Sequence, residues 1–328
     1  MNNQYELTII ISNYNQETHI SETIDSALNQ KVDFPYKIII TDDHSTRDRS
    51  KEIISDYADR CENIETIFAD ENRGYLTNIL RAIERTKTKY FCLLDAEDYW
   101  TDMDFLQRAY HFLEEHDEYS IYEANVLKAY GKKQYPFISI KKKSGTYSKE
   151  MFLSNEPVPI TQTTGMFLRN AIFINGIPDI MKNAIGTRSE RSFEGDTGRF
   201  IMHLKEGLAY YDSHIVGVYR LTENGIWNSL AESKKRIITA RMQLDYYQYY
   251  GSSSEFFVNK AYRAFQRYLL EKQKELENMK RTDAFVDEEE RLMVEDVYQF
   301  CKQHESEIAG KENGIIQKAK QIYKILRS

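Results

Sequence analysis

Three features of the sequence predict an α/β fold, a doubly wound and mainly parallel sheet followed by a helical C-terminal extension. Apolar runs of strand length alternate with helix-spaced stripes through the first hundred residues. No hairpin turn separates them. After Pro178 the chain carries no further proline. Strand, helix, strand order without hairpins requires parallel strands joined by crossovers.

Each element has its own signal. Leu7 to Ile11 is a continuous isoleucine-rich run, the pattern of a strand buried on both faces. Ile20, Ile24, Ala27 and Leu28 then recur at helical spacing. A second apolar run, Lys37 to Thr41, precedes the stripe Ile53, Ile54, Tyr57 and Ala58. Ile64 to Ala69 reads as the third strand, and Leu76, Ile79, Leu80 and Ile83 as the third amphipathic helix. Tyr90 to Leu94 is the fourth strand. A helix is expected from about Asp102, capped by Thr101, with Phe105, Leu106, Ala109, Phe112 and Leu113 inward. From about Ser120 to Arg220 the pattern loosens, with short strands at Thr164 to Leu168 and Ile215 to Tyr219 and a helix over Asp196 to Glu206. Beyond Leu230 the chain reads as helical, with the stripes Val258, Ala261, Tyr262, Phe265, Leu269 and Met293, Val297, Phe300, Cys301. Gly251 to Ser254 breaks it. This places one domain at 1–225 and an α-helical region at 226–328.

Composition excludes several classes of function. A chain of 328 residues with 41% hydrophobic and 13% aromatic content buries a large core and is not disordered. No apolar run approaches the roughly 20 residues of a membrane span, and the start lacks a secretory signal. A net charge of −7 speaks against nucleic-acid binding. Cys61, Cys92 and Cys301 fit neither a zinc motif nor a disulfide framework. A cytoplasmic protein is expected. The earliest glycine is Gly74, so the first strand is followed by neither GxGxxG nor a P-loop, and any nucleotide must be held by other means.

Ligands of such sheets bind beyond the carboxyl ends of the strands. Here those ends run into Ser12-Asn13-Tyr14-Asn15, Asp42-Asp43-His44-Ser45, Asp70-Glu71-Asn72-Arg73-Gly74 and Asp95-Ala96-Glu97-Asp98-Tyr99-Trp100. So acidic a rim would repel a bare phosphate, and a phosphate ligand would need a divalent cation beside it. Hard oxygens at Asp95 and Glu97 suit Mg²⁺ or Mn²⁺. Asp43 or Asp98 taken singly could equally cap the next helix.

The segments TIIISNYNQE (Thr8–Glu17), KIIITDDHST (Lys37–Thr46), ENRGYLTNILRAI (Glu71–Ile83) and YFCLLDAEDYW (Tyr90–Trp100) resemble successive motifs of glycosyltransferase family 2. FEGDTGRFIMHLKEG (Phe193–Gly207) and YRLTENGIW (Tyr219–Trp227) resemble its later ones. The resemblance covers about the first two-thirds of the chain, and six motifs in order are more specific than any one. It implies the GT-A fold, a nucleotide-diphospho-sugar donor, most often a UDP-sugar, and an inverting, metal-dependent transfer using Mn²⁺ or Mg²⁺. Asn13, Tyr14 and Asn15 would then line the nucleoside pocket. Asp43 would bind the base, and Arg73 would lie near base or phosphate. Asp95 and Glu97 take the DxD positions at ribose and metal, with Asp98 the neighbouring acid of that motif. Asp196 matches the catalytic base, with a simple N-cap as its other reading. As an acid at a helix N-terminus, it is expected to stay ionised.

The chain departs from the family pattern at four places. His44 stands for the turn glycine, Glu97 for the second aspartate and Gly195 immediately before Asp196, while Thr222 replaces a frequent histidine. The His44, Glu97 and Thr222 departures are what a degenerate, scaffold-like relative would show, whereas the retention of Arg73, Asp95 and Asp196 together speaks against one. A nucleotidyltransferase would need a glycine-rich basic loop near the first strand, which is absent. Other residues have alternative readings. Arg188 and Arg191 could meet a diphosphate or solvent, and Trp100 and Trp227 a sugar or the core. His203 is expected to pack within its helix. The acceptor would be a glycan, a lipid-linked sugar or a glycoprotein. The basic, amphipathic tail around Ile315, Ala319, Ile322 and Leu326 could dock on its own domain or a second copy, or lie on the inner face of a membrane.

Overall fold

The computed structural model describes residues 4–221, 227, 229–251, 254–278 and 288–308. Thr222, most of the motif after Arg220, the centre of the Gly251–Ser254 break and the basic tail lie outside the described residues. The chain divides into two compact units, residues 1–185 with 194–222, and residues 186–193 with 223–328.

The first unit starts as the periodicity predicts. β1 (Leu7–Asn13), α1 (Ile20–Leu28), β2 (Tyr36–Asp42), α2 (Ser50–Arg60), β3 (Ile64–Phe68), α3 (Tyr75–Arg85) and β4 (Tyr90–Asp95) follow one another. All seven residues of β1 are buried, as expected of a strand covered on both faces. Its register pairs Ile9 with Ile38 on one side and Cys92 on the other. The four α3 positions predicted to face inward are all buried. Gly74 enters that helix at φ +89°, a conformation open to glycine without strain.

Next come β5 (Tyr99–Trp100), α4 (Phe105–Glu115), β6 (Tyr119–Tyr130), β7 (Lys133–Pro136), β8 (Gly145–Tyr147), α5 (Lys149–Leu153), β9 (Met166–Arg169), α6 (Asp179–Lys182), α7 (Glu190–Glu194), α8 (Asp196–Glu206) and β10 (Leu208–Arg220). Helix α4 begins later than expected, after Asp104 rather than Thr101. The reason is tertiary. β5 pairs with Gly217 and Val218 of β10, and the amides of Thr101 and Asp102 both donate to the carbonyl of Val216. The segment expected at Thr164 to Leu168 opens as a 3₁₀ turn over Thr163–Gly165 and becomes a strand only at Met166.

The ten strands form one sheet in the order β3-β2-β1-β4-β9-β6-β10-β5, with β7 on β6 and β8 on β10. β9 runs antiparallel to both β4 and β6, and β10 runs parallel to β6. The carboxyl ends of β1, β2, β4, β6 and β10 therefore share one edge. At the opposite edge, Gly207 ends α8 where a Cβ would lie 2.8 Å from the Glu118 carbonyl, so only glycine permits the return into β10.

The second unit contains α9 (Glu232–Tyr249), α10 (Glu255–Asn278) and α11 (Glu288–Gln303). Ile237, Ile238, Val258, Phe265, Leu269, Met293, Val294 and Val297 form its core. Arg188 forms an ion pair with Asp296 at 2.9 Å inside this unit, a structural tie in place of the diphosphate contact that the sequence left open. Among the described residues no helix is long and apolar enough to cross a membrane.

Candidate active site

At the carboxyl edge, the loops after β1 and β2 are locked together by buried side chains. Asn13 donates through Nδ2 to Asp42 at 2.7 Å and to Ser45 at 3.2 Å. Asp42 also accepts from the amide and the hydroxyl of Ser45, at 2.9 and 2.5 Å. Asp43 is buried, and its two oxygens accept the amides of Arg73 (3.0 Å) and Gly74 (2.8 Å), fixing the loop that leads into α3. Asn15, at φ +52°, accepts from the amides of Thr46 and Arg47. His44 takes the left-handed turn conformation at φ +63° that a glycine would adopt more easily, with Nδ1 3.2 Å from the Ala69 carbonyl. Tyr14 stays 41% exposed. Arg73 is exposed and paired with Glu71 at 2.5 Å.

The turn after β4 is built differently. The Thr23 hydroxyl, from α1, donates to the carbonyls of Ala96 (2.7 Å) and Asp98 (2.8 Å) and fixes its backbone. Asp98 is fully buried. Its oxygens accept from the Thr164 hydroxyl (2.5 Å) and the Arg220 amide (2.9 Å), tying the turn to the segments on either side. Asp98, the third acid expected at the metal, thus serves as a strut within the turn, while Asp95 and Glu97 keep fewer partners. Those two are partly open to solvent. Asp95 accepts the Tyr75 hydroxyl at 2.7 Å. Burial raises the Asp95 carboxyl above its ordinary range, against the Tyr75 bond and the Arg199 charge. Burial and the neighbouring Asp95 push Glu97 up to about 7.

Asp196 is the first residue of α8, and Gly195 occupies the N-cap, so the simple capping reading does not describe it. Its carboxylate accepts the Thr197 amide at 2.7 Å. The expected lowering of its pKa is reversed. Burial raises it, with Asp95 adding to the rise, and this outweighs Arg199 and the Thr197 amide.

Four groups of this site escaped the sequence reading. Arg199 is buried one helical turn after Asp196, donates to the Glu194 carbonyl at 2.6 Å and to Thr163, and its charge works against the rise of both Asp95 and Asp196. The i,i+3 spacing from Asp196 was the signal available for it. Tyr75 and Tyr219 are raised by burial, and the field of the acids adds to it: Asp95 acts on Tyr75, and Asp98, Asp95, Asp196 and Glu97 act on Tyr219. Glu123, on β6, is wholly buried. It accepts the Thr161 amide on one oxygen (2.9 Å), has no partner on the other, and is pushed up to about 8 by burial. Trp100 lies in the core with its indole N–H on the Thr164 carbonyl (2.7 Å). His203 packs as expected, its pKa lowered to about 4 by burial.

The profile of Glycosyl transferase family 2 matches residues 8–176, just over half of the chain. The chain belongs to glycosyl transferase family 2. An uncharacterized protein of Mycobacterium tuberculosis is 33% identical over 116 residues, 35% of this chain and 33% of that protein. The putative teichuronic acid biosynthesis glycosyltransferase TuaG of Bacillus subtilis is 31% identical over 109 residues, 33% of this chain and 42% of TuaG. The chain therefore spans well under half the length of these two relatives. Among solved structures of the same fold, S. aureus TarS 1-349 in complex with UDP superposes with a TM-score of 0.61 at 16% identity, covering 98% of this chain and 89% of TarS 1-349. Mannosyltransferase PcManGT from Pyrobaculum calidifontis, in complex with GDP-Man and Mn²⁺, gives 0.52 at 11% identity, covering 98% and 88%. These likenesses establish the GT-A architecture of this family 2 chain.

Proposed function

We propose that this chain is an inverting, metal-dependent glycosyltransferase that moves a sugar from a UDP-sugar to a hydroxyl of a glycan, lipid-linked or glycoprotein acceptor. The observation that carries the reading is the gathering of Asp95, Glu97 and Asp196 at one sheet edge, in partly open positions, with too few partners to hold three negative charges. Proteins seldom leave acids so placed without a ligand.

Asp95 and Glu97 offer hard carboxylate oxygens of the kind that Mg²⁺ or Mn²⁺ takes from a protein when phosphates complete its coordination. Among the described residues no three ligating side chains converge on one point. The bound ion would offset the charge gathering on the departing diphosphate. The rest of the chemistry belongs to the chain. Tyr14 offers an exposed ring to the nucleobase above the loop that Asn13, Asn15 and Asp43 hold in shape, and Arg73 offers a cation beside it. Asp196 takes the proton of the acceptor hydroxyl while that oxygen bonds to the anomeric carbon and the bond from that carbon to the diphosphate oxygen breaks. The Arg199 charge offsets part of the repulsion between Asp95 and Asp196. The transferase domain is proposed to span residues 1–225 and the helical region 226–328, with 186–193, which cluster with the helices, as an excursion from the first.

UDP as donor is supported by TarS, solved with UDP and with UDP-GlcNAc, while PcManGT was solved with GDP-Man. Calorimetric titration of UDP, with GDP and CDP as controls, tests the reading. Binding of UDP that requires Mn²⁺ is expected. Failure of every nucleotide to bind in the presence of the ion would favour a scaffold over an enzyme.

A further inference from the structure

In a chain of net charge −7, the stretch from Ala124 to Lys149 contains seven lysines and not one aspartate or glutamate. The fold places part of this stretch as a two-stranded ribbon at the end of β6. Lys128 pairs with Tyr135 and Tyr130 with Lys133 across the β6–β7 ladder. Directly opposed residues of an antiparallel pair project from the same face. Two tyrosines and two lysines therefore form a checkerboard on one face of the ribbon, while buried Ala129 belongs to the other. Tyr130 is 59% exposed and Tyr135 53%. Lys132, in the turn, and Lys141 and Lys143, in the crossover that follows, are exposed as well. Ile140 between them is 76% exposed, an unusual position for an isoleucine with no ligand to cover it.

The ribbon leaves the sheet at its carboxyl edge. Lys128 is the neighbour in register of Tyr219, the hydroxyl-bearing ring that lies in the field of Asp95, Glu97, Asp98 and Asp196. Phe137, just past β7, contacts the same ring at 6.5 Å between centroids.

We propose that this ribbon and the crossover after it dock the protein onto an anionic lipid bilayer, with the carboxyl edge of the sheet toward the membrane. Each lysine near a negatively charged leaflet strengthens binding about fivefold. Tyrosines favour the headgroup region, where the ring is buried and the hydroxyl stays wet. An exposed isoleucine gains by entering the acyl boundary, but gains nothing from a soluble polyanion. The inference goes beyond the transfer reading. Where that reading also holds, a lipid-linked acceptor is the one this orientation presents to Asp196.

Sedimentation of the full chain with vesicles tests it. Phosphatidylcholine vesicles containing about 30% phosphatidylglycerol should retain the protein, pure phosphatidylcholine should not, and about 0.5 M salt should release it. Replacing Lys132, Lys133, Lys141 and Lys143 together by Glu should weaken retention at least about tenfold, and Tyr130→Ser with Tyr135→Ser should weaken it as well. Both variants should bind UDP as the parent does. The proposal is overturned if the parent is not retained, or if the lysine variant is retained undiminished, which would assign binding to the basic tail at 315–327. Retention that depends on the lysines but ignores the tyrosines would also overturn it, indicating a site for a soluble polyanion. A parent that binds vesicles but no nucleotide would instead sink the transfer reading and leave the docking surface standing.

Discussion

The loop after β2 and the turn after β4 both present consecutive acids at the carboxyl edge of the sheet, yet the structure treats them in opposite ways. Asp42 and Asp43 each engage both carboxylate oxygens in holding the loop. Between them they accept two backbone amides of the loop before α3, the amide and hydroxyl of Ser45 and the side chain of Asn13. Asp95 and Glu97 lie partly open, Asp95 takes a single tyrosine hydroxyl, and burial, with Asp95 adding to it, pushes Glu97 up to about 7. Acids at the carboxyl ends of two strands of one sheet thus divide into those that build the loop and those left with few partners. Asp98 shows the division within a single motif, since it sits beside Glu97 and is spent entirely on Thr164 and the Arg220 amide.

The sharpest test of this comparison is Asp196→Asn. Removing a general base costs about 10²–10⁴ in rate, so kcat should fall into that range while UDP affinity in the presence of Mn²⁺ is kept. Unchanged turnover would remove Asp196 from the open class. Asp43→Ala probes the loop-building class. It strands two amides and should cost about 2–3 kcal/mol in urea unfolding. If Asp43 instead behaves as a ligand-facing acid, stability will hold and only nucleotide affinity will fall.

Glu123→Gln gives a pH test of burial without a partner. The folded pKa of about 8 lies above the ordinary value of 4.5, so the native state holds this proton more tightly than the unfolded chain. The contribution is complete below about 4.5 and is lost as pH rises through 8, so the parent should lose stability across that window. The glutamine variant should be more stable than the parent by about 2–4 kcal/mol at pH 8, and no more stable near pH 4.5. Thermal unfolding at the two pH values distinguishes this from a residue whose charge is solvated. The smallest effect is expected from His44→Gly. Relief of the left-handed backbone should gain less than about 1 kcal/mol, partly offset by the lost contact to Ala69, with nucleotide binding unaltered. A large loss would show that the imidazole itself holds the loop.

The sequence by itself determined the alternation of the first four strands with their helices, because burial on both faces imposes a composition that few other settings produce. It also located the acidic strand ends and the Asp196 helix, since their order along the chain matches the family motifs. Which acids stand free was decided only by tertiary structure. The partners that engage Asp43 and Asp98 come from positions about 30, 66 and 122 residues away, set beside them by sheet order. The late start of α4 has the same origin, because the amides that would have begun it are taken by β10. The elevated carboxyl of Asp196 does too. A helix N-terminus alone would have lowered it, but burial, with Asp95 adding to it, prevails in the folded chain. Local pattern fixes which element forms and what it carries. Whether a charge on that element is satisfied depends on neighbours that only the folded chain brings together.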